Sequence, residues 1–168
     1  INGQANGGVS KPIRNLTIER TKVRGGTRGY RIYDAQEVRL IGNTVLDFDP
    51  DSGDYAFFRL VGINYLTASA NIIEGVGRPF YLDACPNAVV VRNDIIDQTQ
   101  EPTFEVVDCP DALITLNTIV ISVGGSKAVL DENGGSDGMA YRVNVHHAFT
   151  ATEAHTSTGT FQLNITGS

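Results

Sequence analysis

Val89-Val90-Val91-Arg92-Asn93-Asp94-Ile95-Ile96 is the stretch that decides the fold, because the chain repeats its pattern several times. The pattern is a short apolar run, a polar residue and a second apolar pair, and it recurs at 16–23, 38–45, 66–73 and 112–119. When these phrases are aligned, the polar position is held by Thr21, Asn43, Asn71, Asn93 and Asn117, in steps of 22, 28, 22 and 24 residues. Such a period is typical of a solenoid, in which each repeat buries its apolar face against its neighbours.

Strand segments are readable in each repeat, because apolar residues alternate with period two and no helical period is sustained. The segment before the polar position has inward-facing residues Leu16/Ile18, Val38/Leu40, Leu66/Ala68, Ala88/Val90 and Ala112/Ile114. The short segment after it contributes Val23, Val45, Ile73, Ile95 and Ile119. The remaining segment pairs an aromatic with an aliphatic residue at Tyr30/Ile32, Phe58/Leu60, Phe80/Leu82 and Phe104/Val106, and a fifth copy, Ala128/Leu130, lacks the ring. Stacked in parallel about 4.8 Å apart, these segments predict an all-β fold, a right-handed parallel β-helix of about five to six coils.

The shared Asn position has a structural interpretation. A tight turn between two strands leaves backbone groups that the adjacent coils do not fully satisfy. A stacked Asn amide bonds those groups and the amides above and below it, and Asn tolerates left-handed backbone angles. We therefore expect this file of side chains to stabilise the fold.

The repeat register divides the chain into three parts. Residues 1–12 are rich in Gly and Asn and read as a lead-in segment or an incomplete coil, and residues 13–133 form the parallel β-helix. Residues 134–168 are expected to form a last irregular coil, with Asn144 extending the Asn file, followed by an irregular Thr-rich stretch from Thr150 to Thr160 and a final strand at 161–165. A solenoid end exposes unpaired strand edges, so this tail is predicted to be a C-terminal cap or an assembly segment.

Composition narrows the range of partners. The 168 residues carry a net charge of −6, which argues against nucleic acid or an anionic membrane surface as the main partner. No apolar run has the length of a membrane span.

From Ile13 to Asn133 the chain resembles the pectate-lyase-like right-handed β-helix superfamily. The resemblance rests on the repeats V-x-L-I-G-N-T-V, V-V-V-R-N-D-I-I and L-I-T-L-N-T-I-V. That superfamily includes polysaccharide lyases and hydrolases, epimerases and bacteriophage tailspikes. The resemblance implies an extracellular or virion-surface protein, a segment of a phage tailspike or fibre that recognises a bacterial surface polysaccharide, with or without cleaving it, and that assembles as a homo-oligomer, a trimer. The alternatives are a non-catalytic adhesin and a structural spacer that drives assembly.

The resemblance also implies where a site would lie, since the outer face of the aromatic strands often forms the floor of a saccharide groove in that superfamily. Strand alternation predicts one exposed file of Arg31, Arg59, Tyr81, Glu105 and Val129, and a second file of Tyr33, Val61, Asp83, Val107 and Asp131. Asp83 and Glu105 are the candidate catalytic carboxylates, with Glu105 as the acid. The candidate substrate-binding residues are Arg31, Arg59, Tyr81, Tyr33 and Asp131. An ordinary polar solvent face is the alternative.

An acidic insertion occupies the longest repeat. Asp47, Asp49 and Asp51 alternate along it and are followed by Gly53, a pattern of hard oxygen ligands on a tight turn that suits Ca²⁺. A solvated acidic turn is the alternative. Beyond this weak Ca²⁺ site no cofactor is expected.

Cysteine and histidine give weaker signals. Cys85 and Cys109 occupy equivalent positions, each followed by Pro, where earlier repeats have Ala35 and Ile63. This position favours a small apolar file at a corner, in which either a disulfide or two buried thiols would fit. The three histidines are predicted to lie in loop or cap positions, and the adjacent pair is a poor zinc chelate: His146, His147 and His155.

Overall fold

The computed structural model describes residues 12–27, 29–48, 56–98, 102–120, 126–147, 150–154 and 160–165. Side chains are described as far as Asn144, except at 126–128 and 143. Within these ranges the chain forms sixteen β-strands, every registered pair of which is parallel. The strands are β1 (Ile13–Glu19), β2 (Lys22–Arg24), β3 (Tyr30–Ile41), β4 (Thr44–Leu46), β5 (Ala56–Ser69), β6 (Ile72–Glu74), β7 (Arg78–Asp83), β8 (Val89–Val91), β9 (Asp94–Ile96), β10 (Phe104–Val107), β11 (Leu113–Thr115), β12 (Thr118–Val120), β13 (Ser126–Asn133), β14 (Ala140–His147), β15 (Thr150–Ala154) and β16 (Thr160–Ile165).

The strands stack as a parallel β-solenoid of about five turns, which confirms the predicted fold class. We call its three faces the aromatic, aliphatic and short sheets. The aromatic sheet contains the first halves of β3 and β5, followed by β7, β10, β13 and β15. The aliphatic sheet contains β1, the second halves of β3 and β5, then β8, β11 and the start of β14. The short sheet contains β2, β4, β6, β9, β12 and the end of β14.

One residue with a left-handed backbone turns the chain from the aromatic sheet into the aliphatic sheet. Asp34 and Gly62 have φ of 54° and 66° at matching positions in β3 and β5, so each long strand bends there without ending. Ala84 and Asp108 continue this position in the next two coils, with φ of 50° and 49°. A single left-handed residue makes a sharp change of direction, which is why a corner recurs at the same place in each turn.

The polar position between the aliphatic and short sheets forms a continuous hydrogen-bonded ladder, as predicted. Each Asn in this ladder is at most 1% exposed. The Nδ2 of Asn43 donates to the Oδ1 of Asn71 at 2.9 Å, and the Nδ2 of Asn71 donates to the Oδ1 of Asn93 at 2.8 Å. Asn117 and Asn144 continue the series at 2.9 Å per step, and Thr21 begins it by donating through its hydroxyl to Asn43 at 2.7 Å. We call this series the Asn ladder.

Rings stack inside the aromatic sheet. Tyr30, Phe58, Phe80 and Phe104 lie above one another with centroid separations of 5.9, 5.2 and 5.5 Å and with nearly parallel planes. Tyr141, at the start of β14, then packs against Phe104 with an edge-to-face ring at 6.1 Å. The three Phe rings are fully buried, so the stack is the centre of the core.

The predicted register of the fifth aromatic strand is wrong by two residues. Phe104 lies beside Leu130 and not beside Ala128, and Val106 lies beside Glu132. Val129 is fully buried and so does not belong to the exposed file in which it was placed. A shift of two leaves Leu130 inward and Asp131 outward, as alternation predicts, so alternation alone could not have detected it.

Strand stacking continues beyond Asn133. β14 pairs with β11 and β12 and carries Asn144 into the ladder, as expected, and β16 confirms the predicted final strand. The stretch from Thr150 to Thr160 is not irregular throughout, because β15 spans Thr150–Ala154 and pairs in parallel with β13. The role of these residues as a cap or assembly segment stays a prediction.

Gly29 marks a close approach of two backbone segments. A Cβ built at this position would lie 2.1 Å from the carbonyl oxygen of Phe57 and 2.6 Å from its Cα. Both are backbone atoms that no rotamer change can move.

We therefore expect Gly29→Ala to destabilise the fold by about 1–3 kcal/mol, as overpacked sites do. Thermal denaturation followed by circular dichroism measures the loss, and Thr27→Ala at an exposed position of the same turn is the control, expected within about 0.5 kcal/mol of the wild type. Equal effects would show that the backbone separates there at little cost.

Candidate functional site

Two files of side chains cover the outer face of the aromatic sheet. The first contains Arg31, Arg59, Tyr81, Glu105 and Asp131, one from each coil. Asp131 was predicted in the second file, and its place in the first follows from the register of β13 beside β10. The second file contains Tyr33, Val61, Asp83, Val107 and Asn133. We call the two files together the outer aromatic face.

Tyr81 is the centre of this face. The guanidinium carbon of Arg59 lies 4.9 Å from the centroid of the Tyr81 ring, in a cation–π contact from the preceding coil. The phenol hydroxyl of Tyr81 donates to Oδ2 of Asp83 at 3.4 Å. Burial raises the pKa of Tyr81, and the carboxylates of Asp83 and Glu105 raise it further, against the opposing charge of Arg59. Tyr81 is therefore a neutral hydrogen-bond donor at physiological pH, with one ring face covered by Arg59.

Glu105 has an ion-pair partner that sequence reasoning missed. Nη1 of Arg78 contacts Oε2 of Glu105, and both side chains are about 20% exposed, so the pair is largely shielded from water. Arg78 lies two residues before Phe80 at the start of β7, and alternation places such a residue on the inner side. One indication of this ion pair was present in the sequence, namely the position of Arg78 at the strand end, where a long side chain can reach around the edge of the sheet.

Charge is unevenly distributed along the first file. Arg31 and Arg59 are neighbours at one end, and Glu105 and Asp131 are neighbours at the other, with Tyr81 between them. Like charges on adjacent strands disfavour each other, and Arg78 beside Glu105 offsets part of this cost. The face thus presents a basic end and an acidic end separated by an aromatic ring.

Asp83 and Glu105 occupy neighbouring coils in adjacent files, as predicted. Asp83 lies beside Val61 and Val107 in its own file, whereas Glu105 lies beside Tyr81 and Asp131. A carboxylate pair flanking a bond is the arrangement that glycoside hydrolysis uses. Arg78 contacts the Oε2 of Glu105, so one carboxyl oxygen of this candidate acid already has a partner. The catalytic assignment of both residues stays a prediction.

The acidic insertion lies largely outside the described residues, which include Asp47 but neither Asp49 nor Asp51. Asp47 forms an exposed ion pair with Arg24, at 2.9 Å from Nε to Oδ2. In the described part of the chain no three His, Cys, Asp or Glu side chains lie close enough to hold a metal ion. The Ca²⁺ hypothesis therefore stays a prediction.

The histidines contribute no described side-chain geometry. His146 and His147 are consecutive residues at the end of β14, which places them in a strand and not in a loop. His155 lies outside the described residues.

Comparison with known proteins finds no significant match to a protein-family model, a curated protein or a solved structure. Among the described residues no helix is long and apolar enough to cross a lipid bilayer.

Proposed function

We propose that the outer aromatic face binds a bacterial surface polysaccharide and that the solenoid is its rigid support. The observation that carries this proposal is the first file, in which five consecutive coils each present one polar or aromatic side chain along a straight line. The strand spacing of about 4.8 Å repeats along that line, so the face suits an extended chain ligand better than a compact one.

The chemistry of the file supports a carbohydrate ligand. Arg31 and Arg59 offer planar donors for the carboxylates of acidic sugars, and Glu105 and Asp131 accept hydrogen bonds from hydroxyl groups. Tyr81 supplies an apolar ring edge and a phenol donor. Its contacts with Arg59 and Asp83 hold these groups in place before a ligand arrives, which lowers the entropy cost of binding.

We infer that the chain is related to the pectate-lyase-like superfamily and that it is part of a phage tailspike or fibre. The supporting observations are the parallel solenoid and the stacked Asn ladder. Within this proposal the chain acts outside the cell or on the virion surface and assembles as a trimer, which mass determination in solution tests directly.

Cleavage of the bound glycan is the second candidate function. It is favoured by one observation, namely that Tyr81 donates to Oδ2 of Asp83 at 3.4 Å and lies beside Glu105 of the next coil. Two carboxylates and a phenol within one cluster could position a glycosidic bond and move a proton to the leaving oxygen.

The decisive experiment uses Tyr81→Ala and a matched control. Binding of the wild type to capsule and O-antigen preparations is measured by calorimetry, and Tyr81→Ala is expected to weaken it roughly tenfold through the lost ring and phenol contacts. Tyr65→Ala is the control, because Tyr65 is 59% exposed on the outside of the aliphatic sheet and should not affect affinity. Equal affinities for the two variants would exclude the outer aromatic face as the binding site.

Reducing-end and 235 nm absorbance assays on the same preparations separate binding from cleavage. A cleaving wild type should lose at least about a hundredfold in rate in Asp83→Asn or Glu105→Gln, as removed acid–base groups do. Undiminished cleavage in both variants would contradict the assignment of these carboxylates. A wild type that neither binds nor cleaves any glycan would support the structural spacer instead.

A further inference from the structure

Cys85 and Cys109 meet at the corner between the aromatic and aliphatic sheets. Both are fully buried free thiols, and they are the only two cysteines of the chain. The backbone N–H of Cys85 donates to the Sγ of Cys109 at 3.3 Å. In the next coil the N–H of Cys109 donates in the same way to the Oγ of Ser136 at 2.9 Å. The two cysteines are therefore consecutive members of one side-chain file, and the sulfur of Cys109 contacts the backbone of the Cys85 coil.

The backbone on both sides of this pair is held in register. The N–H of Ala84 donates to the carbonyl of Val107 at 3.0 Å, and the N–H of Asn87 donates to the carbonyl of Pro110 at 2.9 Å. These bonds fix the two Cα atoms at about the strand spacing of 4.8 Å, which lies inside the range that a disulfide spans. The Cα spacing of the two residues is therefore compatible with a bond between their sulfurs.

We propose that Cys85 and Cys109 form a disulfide between adjacent coils when the chain folds in the presence of a small-molecule disulfide such as oxidised glutathione. A thiolate of the protein attacks one glutathione sulfur, so that a mixed disulfide forms and one glutathione thiolate leaves with the proton. The second cysteine loses its proton and attacks the first protein sulfur, which breaks the mixed disulfide and releases the second glutathione. The protein loses two hydrogens and two electrons, and one oxidised glutathione becomes two reduced ones.

Both thiols lie against backbone carbonyls in the finished fold. The Cys85 thiol donates to the carbonyl of Asp83 at 3.3 Å, and the Cys109 thiol donates to the carbonyl of Val107 at 3.1 Å. The contact between the two side chains lowers the pKa of Cys85, and the same contact together with burial raises the pKa of Cys109. Because both sulfurs are buried in the finished fold, the exchange takes place while the corner is still forming.

The inference rests on one part of the proposed function, the location of the protein outside the cell or on the virion surface, because that environment is oxidising. It requires no glycan, so a failure of glycan binding leaves it untouched. The cross-link would covalently join two coils whose other contacts are all non-covalent. Because it closes a loop between residues 24 apart, it restricts the unfolded chain.

The experiment refolds the denatured full chain in a glutathione buffer rich in the oxidised form and, in parallel, in a reducing buffer. We expect the first sample to lose two hydrogens by intact mass and to present no alkylatable thiol after denaturation. Its melting temperature should exceed that of the reduced sample by about 5–10 °C. Two alkylatable thiols in a correctly folded sample, a disulfide-linked dimer, or equal melting temperatures would each overturn the proposal.

Two variants complete the test. Cys85→Ala/Cys109→Ala should melt at the same temperature in both buffers, because nothing remains to oxidise. Cys85→Ser should leave Cys109 alkylatable or carrying one glutathione. If either variant fails to fold, the two forms of the wild type still decide the question, since they differ only in the bond between the sulfurs.

Discussion

Replacing Asn93 by alanine should lower the stability of the fold by about 3 kcal/mol, because two buried backbone groups would lose their partners at about 1–3 kcal/mol each. The Oδ1 of Asn93 accepts both the backbone N–H and the Nδ2 of Asn71, at 3.1 and 2.8 Å. Its Nδ2 donates to the carbonyl of Ala68 at 3.1 Å and to the Oδ1 of Asn117 at 2.9 Å. For a domain of this size the loss corresponds to a melting temperature lower by about 6–12 °C.

Two further variants show whether the amide itself is responsible. Asn133→Ala, at an exposed position of β13, should change the melting temperature little. Asn93→Asp keeps the shape and the acceptor of the side chain but removes the donor facing Ala68 and Asn117, so it should be at least as damaging as alanine near neutral pH. If Asn93→Ala and Asn133→Ala had the same melting temperature, the side chains of the Asn ladder would contribute nothing to stability.

Replacing Phe80 by alanine should cost about 3–5 kcal/mol, the range for large aromatic truncations in a core. Phe80 is fully buried, and its ring lies between Phe58 at 5.2 Å and Phe104 at 5.5 Å. Truncation would remove the ring contacts on both sides and leave a cavity that the stacked coils cannot close, because their spacing is fixed by backbone hydrogen bonds. Urea denaturation measures the loss as a lower midpoint with an unchanged slope.

Phe80→Leu separates the size of the side chain from its aromaticity. Leu130 already lies beside Phe104 in the next coil, so leucine fits this file, and the cost should fall to roughly half that of alanine or less. Tyr65→Ala, at a side chain 59% exposed, should be nearly neutral. If Phe80→Ala were no worse than Tyr65→Ala, the ring stack would not be the centre of the core.

The sequence predicts most of the solenoid because its two strongest signals are local. Alternation assigns each residue to the inside or the outside, and the recurring Asn sets the coils against one another. The recurrence at Asn71, Asn93 and Asn117 was sufficient to register three consecutive coils, and the ladder bonds confirm it. These signals need no knowledge of distant contacts, since each coil mainly contacts its neighbours.

The predicted register is wrong at β13, where the alternation pattern favoured the wrong core residues. Ala128 and Leu130 look like the inward pair beside Phe104 and Val106. In the structure β13 slides by two residues along β10, so that Leu130 and Glu132 take those places. No sequence rule would choose a carboxylate for the core over an alanine. The missing ring is supplied by Tyr141 from a different sheet, a contact that depends on how two faces converge and not on any repeat.

The sequence predicted which residues share a file in the candidate site, but it did not predict the contacts between their side chains. Alternation placed Arg59, Tyr81 and Glu105 in one file, and the structure confirms that they lie side by side. The stacking of Arg59 on Tyr81 and the reach of Arg78 to Glu105 depend on the rotamers of long side chains, which periodicity does not encode.

The Asn ladder is also unidirectional. From Asn43 to Asn144 every Oδ1 accepts from the coil before it, and from Asn43 to Asn117 every Nδ2 donates to the coil after it. The amide dipoles therefore point the same way and add along the rod, whereas backbone dipoles within sheets largely cancel. Hydrogen bonds in such a chain polarise one another, so each additional Asn strengthens those already present. This all-β protein thus acquires an axial dipole comparable in origin to that of an α-helix, with its positive end at the Asn144 coil.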